Sequence, residues 1–100
     1  MLAAEFPDNS DYQLDLARLL CDAGALDTAF AQCAKIIAKN PNLPEAWNTR
    51  GDCYNRRREF DKAADDYSMS IKLRSDGVEA WTGRAWSYFQ LQLWDKAVAD

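Results

Sequence analysis

The sequence predicts an all-α chain built as a solenoid of antiparallel helix hairpins, and three observations carry that prediction. The stretch PEAWNTRGDCY at residues 44–54 returns as VEAWTGRAWSY at 78–88, so Glu, Ala, Trp, Arg and Tyr recur 34 residues apart. The register then runs along the whole chain: Asp61, Lys62, Ala63 and Asp66 reappear as Asp95, Lys96, Ala97 and Asp100, and the columns Ala17/Gly51/Ala85 and Leu26/Phe60/Trp94 extend it backward. Within a unit the apolar spacing is helical, Trp47, Gly51 and Tyr54 and then Ala63, Tyr67 and Ile71 falling on successive turns of one face. A fixed period of this length is the signature of stacked units, each too small to bury its apolar face alone.

Taken in order, residues 1–9 read as the tail of a preceding unit, because residues 1–7 align with 35–41. Residues 10–43 form the first unit and 44–77 the second; 78–100 form an incomplete third, in which Asp100 aligns with Asp66 and no counterparts of Tyr67 and Ile71 follow. Asp8, Asn42 and Asp76 stand where first helices are expected to begin, each with a carboxylate three residues on (Asp11, Glu45, Glu79) in the manner of a capping box. Asp27, Asp61 and Asp95 are expected to open the second helices, where negative charge suits the positive end of the dipole. Gly24 is placed to end the first helix in a left-handed conformation, and Arg58 and Gln92 hold that position later, in local conflict with it. Pro7 and Pro41 follow second helices, with Ser75 at the third such position. Gly51, with Ala17 and Ala85, is expected to let a first helix approach the second closely at Ala63, Ala29 and Ala97, and Trp47 and Trp81 are expected in the core.

These residues resemble the tetratricopeptide-repeat family, whose pattern of Trp, small residue, Tyr, Ala, aromatic and Pro is met by Trp47, Gly51, Tyr54, Ala63 and Tyr67, with Ser75 in place of Pro. Trp81, Ala85, Tyr88 and Ala97 match in the third copy, and Ala17, Leu20, Ala29, Cys33 and Pro41 in the first, where Gln13 replaces the Trp. The resemblance covers essentially all of the chain and implies a right-handed superhelix whose first helices line a concave, ligand-holding side.

Composition narrows the function. Of 100 residues, 48% are hydrophobic, 12% are aromatic and Pro and Gly are few, which fits one helical domain with no linker. No apolar run approaches the ~20 residues a membrane span needs, and the N-terminal stretch lacks a secretory pattern. There is no His, so the commonest general base and metal ligand is missing. Cys21, Cys33 and Cys53 have no CxxC spacing and read as reduced structural thiols, which favours a cytoplasmic location. Asp65 and Asp66 point about 100° apart on a helix and read as a solvated face. No cofactor or metal is expected, and the protein is expected not to be an enzyme. The basic run RRREF at 56–60 is the only one in a chain of net charge −4, so nucleic acid is not an expected partner and neither is a membrane.

What remains is a surface for a protein or peptide partner. By the resemblance, the candidate peptide-binding residues are Arg18 and Asp22 on the first of the first helices, Asn48, Asp52, Asn55 and Arg56 on the second, and Thr82, Trp86, Phe89 and Gln90 on the third. Asn48, Asp52 and Asn55 form one polar stripe, and asparagine amides there offer a backbone both donor and acceptor. Trp86 stands where Asp52 stands one unit earlier, and either anchors a partner or packs on Phe89 or a following helix. Family members that clamp a C-terminal carboxylate use Lys, Asn and Arg at positions held here by Leu14, Arg18, Thr49, Glu79 and Gly83, so that mode is not expected. The alternative to peptide binding is a structural or self-associating repeat segment of a longer solenoid or multidomain protein, in which self-association would run head to tail with Leu2, Ala3 and Phe6 of one copy docking after Asp100 of another.

Overall fold

The computed structural model describes the backbone of residues 10–99 and the side chains of residues 12–92. Among the described residues there are five α-helices and no strand: α1 (Ser10–Asp22), α2 (Leu26–Lys39), α3 (Pro44–Arg56), α4 (Phe60–Leu73) and α5 (Val78–Ala99). Leu2, Ala3, Phe6 and the expected cap at Asp8 lie outside the described residues.

Short turns fold α1 back on α2 and α3 back on α4. Gly24 ends α1 at φ 85°, and Arg58 takes the same role after α3 at φ 63°. A side chain at positive φ is strained by about 1–2 kcal/mol, so the second turn needs other support. Arg57 provides some of it, pairing with Glu59 at 2.9 Å and lying 4.8 Å above the Phe30 ring of the preceding hairpin.

Each apolar cluster joins a hairpin to the next first helix. Leu14, Ile36 and Ala46 link α1, α2 and α3; Cys21, Ala29 and Cys53 do so again at the other end of the same helices; Ala63 and Tyr67 of α4 and Ala80 of α5, with Tyr54 of α3 packed against them, link α3, α4 and α5. Neighbour-to-neighbour burial makes a rod and not a ball. The molecule measures 61 × 28 × 19 Å with a radius of gyration of 14.6 Å, against about 13 Å for a compact chain of this length.

The unit-to-unit contacts repeat with the period. The Trp47 indole N–H donates to the Pro41 carbonyl at 2.8 Å, and that of Trp81 to the Ser75 carbonyl at 2.7 Å. Only the carbonyl is needed, which is why serine serves where proline stood. Arg50 lies 5.0 Å above Trp47 and Arg84 lies 4.7 Å above Trp81. Arg50 also forms a two-pronged bond with Asp66, at 2.7 and 2.9 Å. Asp66 is therefore buried and paired, not part of a solvated face with Asp65.

Several expectations are corrected. Helix α3 starts after Leu43 with Pro44 in its first turn and no side-chain cap, so Asn42 lies one residue too early to form a capping box. At α5 the first-turn amides of Ala80 and Trp81 reach the Gly77 carbonyl, one residue past Asp76. Asp27 and Asp61 lie inside the first turns of α2 and α4 and do not open them. Helix α5 runs unbroken through Asp95, where a second helix was expected to begin. Leu91, Gln92 and Leu93 are good helix formers, and no glycine eases a left-handed turn there. As a consequence Trp81, expected in the core, is 45% exposed, and Ala85 is exposed as well.

Candidate functional site

The candidate site is a groove across α1, α3 and α5, and its floor is set by one residue of α4. Tyr67 is 1% exposed. Its ring passes between two glycines, and a Cβ added at Gly51 or Gly83 would come within 3.0 or 2.4 Å of ring carbons. Those glycines let the ring reach through the layer of first helices. At the equivalent earlier register, small Cys33 stands in place of Tyr67 and larger Thr49 in place of Gly83, so the two positions exchange volume.

The Tyr67 hydroxyl emerges at the groove. It donates to Asp52 Oδ1 and accepts from Asn55 Nδ2 at 3.1 Å. Asn55 Oδ1 in turn accepts from the Ser87 hydroxyl at 2.8 Å, and the same hydroxyl bonds the Gly83 carbonyl at 2.9 Å. The chain of bonds ties α3, α4 and α5 into one rigid wall. Surrounding protein strips water from Asp52 and pushes its carboxyl above the usual range, the Tyr67 bond opposing this and Glu79 adding to it. Burial, reinforced by Asp52, pushes the Tyr67 phenol up as well.

Five of the ten candidate residues converge here. Asp22, Asp52, Asn55, Arg56 and Trp86 line a cleft of about 290 Å³. Arg56 and Asp22, both well exposed, meet across α1 and α3 at 3.1 Å. An open pair of that kind contributes about 0–1 kcal/mol and yields readily to a ligand. Trp86 is 53% exposed with its ring 6.3 Å from that of Phe89, so it touches Phe89 and still presents a face to the cleft.

The other candidates are placed differently. Arg18 and Asn48 line a second cleft of about 290 Å³ with Glu79 and Arg74, where Asn48 Nδ2 reaches Glu79 Oε2 at 3.5 Å. Thr82 and Phe89 are exposed on α5, and Gln90 is half-buried. Asn55 has one acceptor and one donor occupied by Ser87 and Tyr67, which leaves it less to offer a peptide than an open amide would. Three of the five carboxylate-clamp positions are interior: Leu14 is in the core, Thr49 is buried with its hydroxyl on the Glu45 carbonyl at 2.8 Å, and Gly83 lies under Tyr67.

Sequence reasoning missed Tyr67, Gly83 and Ser87 as parts of the groove. The signal available was the paired departure from the first unit, Cys33 to Tyr67 together with Thr49 to Gly83. The cysteines are all free and buried. Burial, with the neighbouring Cys53 thiol, pushes Cys21 up to about 12, and a bond to Cys33 together with burial pushes Cys53 upward. Among the described residues no three His, Cys, Asp or Glu side chains are grouped to hold a metal ion, and no helix is long and apolar enough to cross a membrane. The groove therefore offers hydrogen bonds, the Asp52 carboxylate, a displaceable ion pair and an indole face.

Residues 2–44 and 56–100 match the sequence profile of the tetratricopeptide repeat. No curated protein matches the chain significantly. Among solved structures, MamA of AMB-1 superimposes with a TM-score of 0.75 at 23% identity, over 96% of this chain and 57% of that one. MamA of MSR-1 gives a TM-score of 0.73 at 23% identity, over 96% of this chain and 55% of that one. The chain thus spans a little over half the length of these structures, and the likeness is one of fold.

Proposed function

The chain belongs to the tetratricopeptide-repeat family, and from that premise we propose that it is a noncatalytic interaction module that binds a peptide segment of a partner protein along its concave face. The observation that carries this reading is Trp86, half exposed in a cleft shared by three successive first helices. A large aromatic held open on a rigid wall is what an interface anchor requires, because little side-chain freedom is lost on binding. Asp52, Arg56 and Asp22 surround it with polar groups that fix orientation. Arg18, Asn48, Thr82, Phe89 and Gln90 extend the same surface along the rod. The repeats divide at residues 44 and 78, so each contributes one helix to the groove. The buried free thiols support a reducing, cytoplasmic setting, and the net charge of −4 supports a protein partner over nucleic acid.

Selection of peptides from a displayed random library on the folded chain tests the proposal. Peptides that bind the parent and lose at least tenfold in affinity on Trp86→Ala, with far-UV circular dichroism unchanged, are the expected outcome. Peptides insensitive to Trp86→Ala, or none at millimolar concentration, would contradict it.

A further inference from the structure

Helix α3 docks on the hairpin of α1 and α2, and α5 docks on that of α3 and α4, but the two junctions are filled differently. At the first, Leu14, Ile36 and Ala46 form an apolar cluster with Leu43 packed against it. At the same register 34 residues on stand Asn48, Ser70, Ala80 and Gly77. An amide and a hydroxyl thus take the place of two large apolar side chains, and a glycine that of Leu43. All four line the cleft of about 290 Å³ between the start of α3 and the start of α5, where Arg18, Arg74, Glu45, Asp76 and Glu79 also converge.

Polar groups lining this cleft lack partners. Ser70 is 5% exposed, and among the described residues its hydroxyl makes no hydrogen bond. Asn48 Oδ1 and Glu45 Oε1 are buried and accept none. Groups so placed cost folding free energy until a donor reaches them. The Asn48 amide is held toward Glu79 Oε2 only by a 3.5 Å contact, so turning its oxygen to a ligand costs little. Arg74 is already engaged, by Glu45 at 2.9 Å and Asp76 at 3.7 Å. Arg18 is exposed, and its charge also acts on Asp52 of the neighbouring cleft. Two guanidinium groups therefore face three carboxylates, and the buried atoms in want of a partner are acceptors. What completes the cleft is a cationic donor and not an anion.

We propose, on the concave-face reading above, that this cleft takes a lysine or arginine side chain of the partner segment, the cation pairing with Glu79 and donating to Asn48 Oδ1 and the Ser70 hydroxyl. The partner is thus a peptide with a basic residue, which suits a chain of net charge −4. The cleft adjoins the one that holds Trp86, since Asp52 there is acted on by Glu79 and Arg18 as well as by Arg56. Asn48 and Asn55 lie two turns apart on α3, about 10 Å along its axis, a distance that about three residues of extended chain cover. A bound segment that reaches Trp86 therefore carries its basic residue about three positions away.

NMR of the 100-residue chain, titrated with N-acetyl-arginine methylamide and with N-acetyl-citrulline methylamide as its uncharged isostere, tests this. Saturable shifts of the Asn48 side-chain amide and the Gly77 N–H are expected with the arginine probe at millimolar concentration, and citrulline is expected to bind about fivefold or more weakly. Glu79→Gln, at an exposed position, is expected to weaken the arginine probe by about fivefold or more, and Trp86→Ala to leave its binding unchanged. Asn48→Leu combined with Ser70→Ile, which gives α3 and α4 the side chains of the first junction, is expected to abolish the Gly77 shift with far-UV circular dichroism retained. Citrulline bound as well as arginine, no shift at Asn48 or Gly77, or arginine binding indifferent to Glu79→Gln overturns the proposal. So does N-acetyl-glutamate methylamide bound in the cleft in place of arginine. Peptides that need Trp86 alongside an inert arginine probe would sink the cation site alone; probe binding alongside library peptides indifferent to Trp86→Ala would sink the Trp86 groove reading and keep the cation site.

Discussion

Asp52 shows how far one side chain can be understood from its surroundings. Its carboxyl accepts the Tyr67 hydroxyl yet titrates above the ordinary 3.8, because exclusion of water outweighs that bond. The folded state therefore binds the proton more tightly than the unfolded state does. Between the ordinary value and the raised one, stability from this group falls as pH rises, and at neutral pH the charge is a net cost to folding. Asp66 shifts the same way, burial outweighing Arg50, so the parent alone cannot separate the two. Asp52→Asn keeps an acceptor for Tyr67 and removes the charge. Its melting temperature is expected to exceed the parent's at pH 7, with the difference vanishing as pH falls toward 4. A variant less stable than the parent by the same margin at every pH would show that the carboxylate is favourable where it stands. Asp52 was legible in the sequence as a groove residue. Its environment was not, because the tyrosine that creates it belongs to another helix and reaches through two glycines.

At the scale of helices, the 34-residue period gave the existence, type and order of α1 to α4, since each apolar face has a partner face at fixed spacing. Boundaries shifted by one or two residues wherever a backbone carbonyl or Pro44 did the work expected of an aspartate or asparagine side chain. That the chain continues as helix through residue 92 was not legible, because helix propensity and the repeat pattern give opposite answers there. Two comparisons test the packing. Arg50→Leu strands a buried Asp66 carboxylate, whose side chain is 6% exposed, and is expected to cost about 3 kcal/mol in urea unfolding. Arg84→Leu, at the same register but bonded among the described residues to the Ser68 hydroxyl, is expected to cost less than about 1 kcal/mol. Equal losses would mean that the Arg50 pair adds nothing beyond stacking on its tryptophan. Gly83→Ala gains roughly 1 kcal/mol of helix propensity but drives a methyl into the Tyr67 ring, so a net loss of about 1–3 kcal/mol is expected. In a Tyr67→Leu background the same substitution is expected to be neutral or stabilising, a non-additivity that reports direct contact.

The whole molecule is a rod whose hairpins are coupled only to their neighbours, and the proposed function rests on the surface that this stacking leaves open. First helices from three units form a continuous wall, and the Tyr67, Asn55 and Ser87 bonds hold α3 and α5 in fixed relation across it. Rigidity of this kind favours binding of an extended chain, because the ordering cost falls on the ligand alone. The concave face was legible from the period and the family resemblance. The meeting of Asp22, Asp52, Asn55, Arg56 and Trp86 in one cleft was anticipated only as membership of a common surface, not as a shared cavity. The most direct measurement is amide-resolved NMR of the chain titrated with a library-selected peptide. Saturable shifts concentrated at Asp22, Asp52, Asn55, Arg56 and the Trp86 indole, with the outer faces of α2 and α4 unmoved, are the predicted result; shifts centred on α2 and α4, with the Trp86 indole unchanged, would contradict the account.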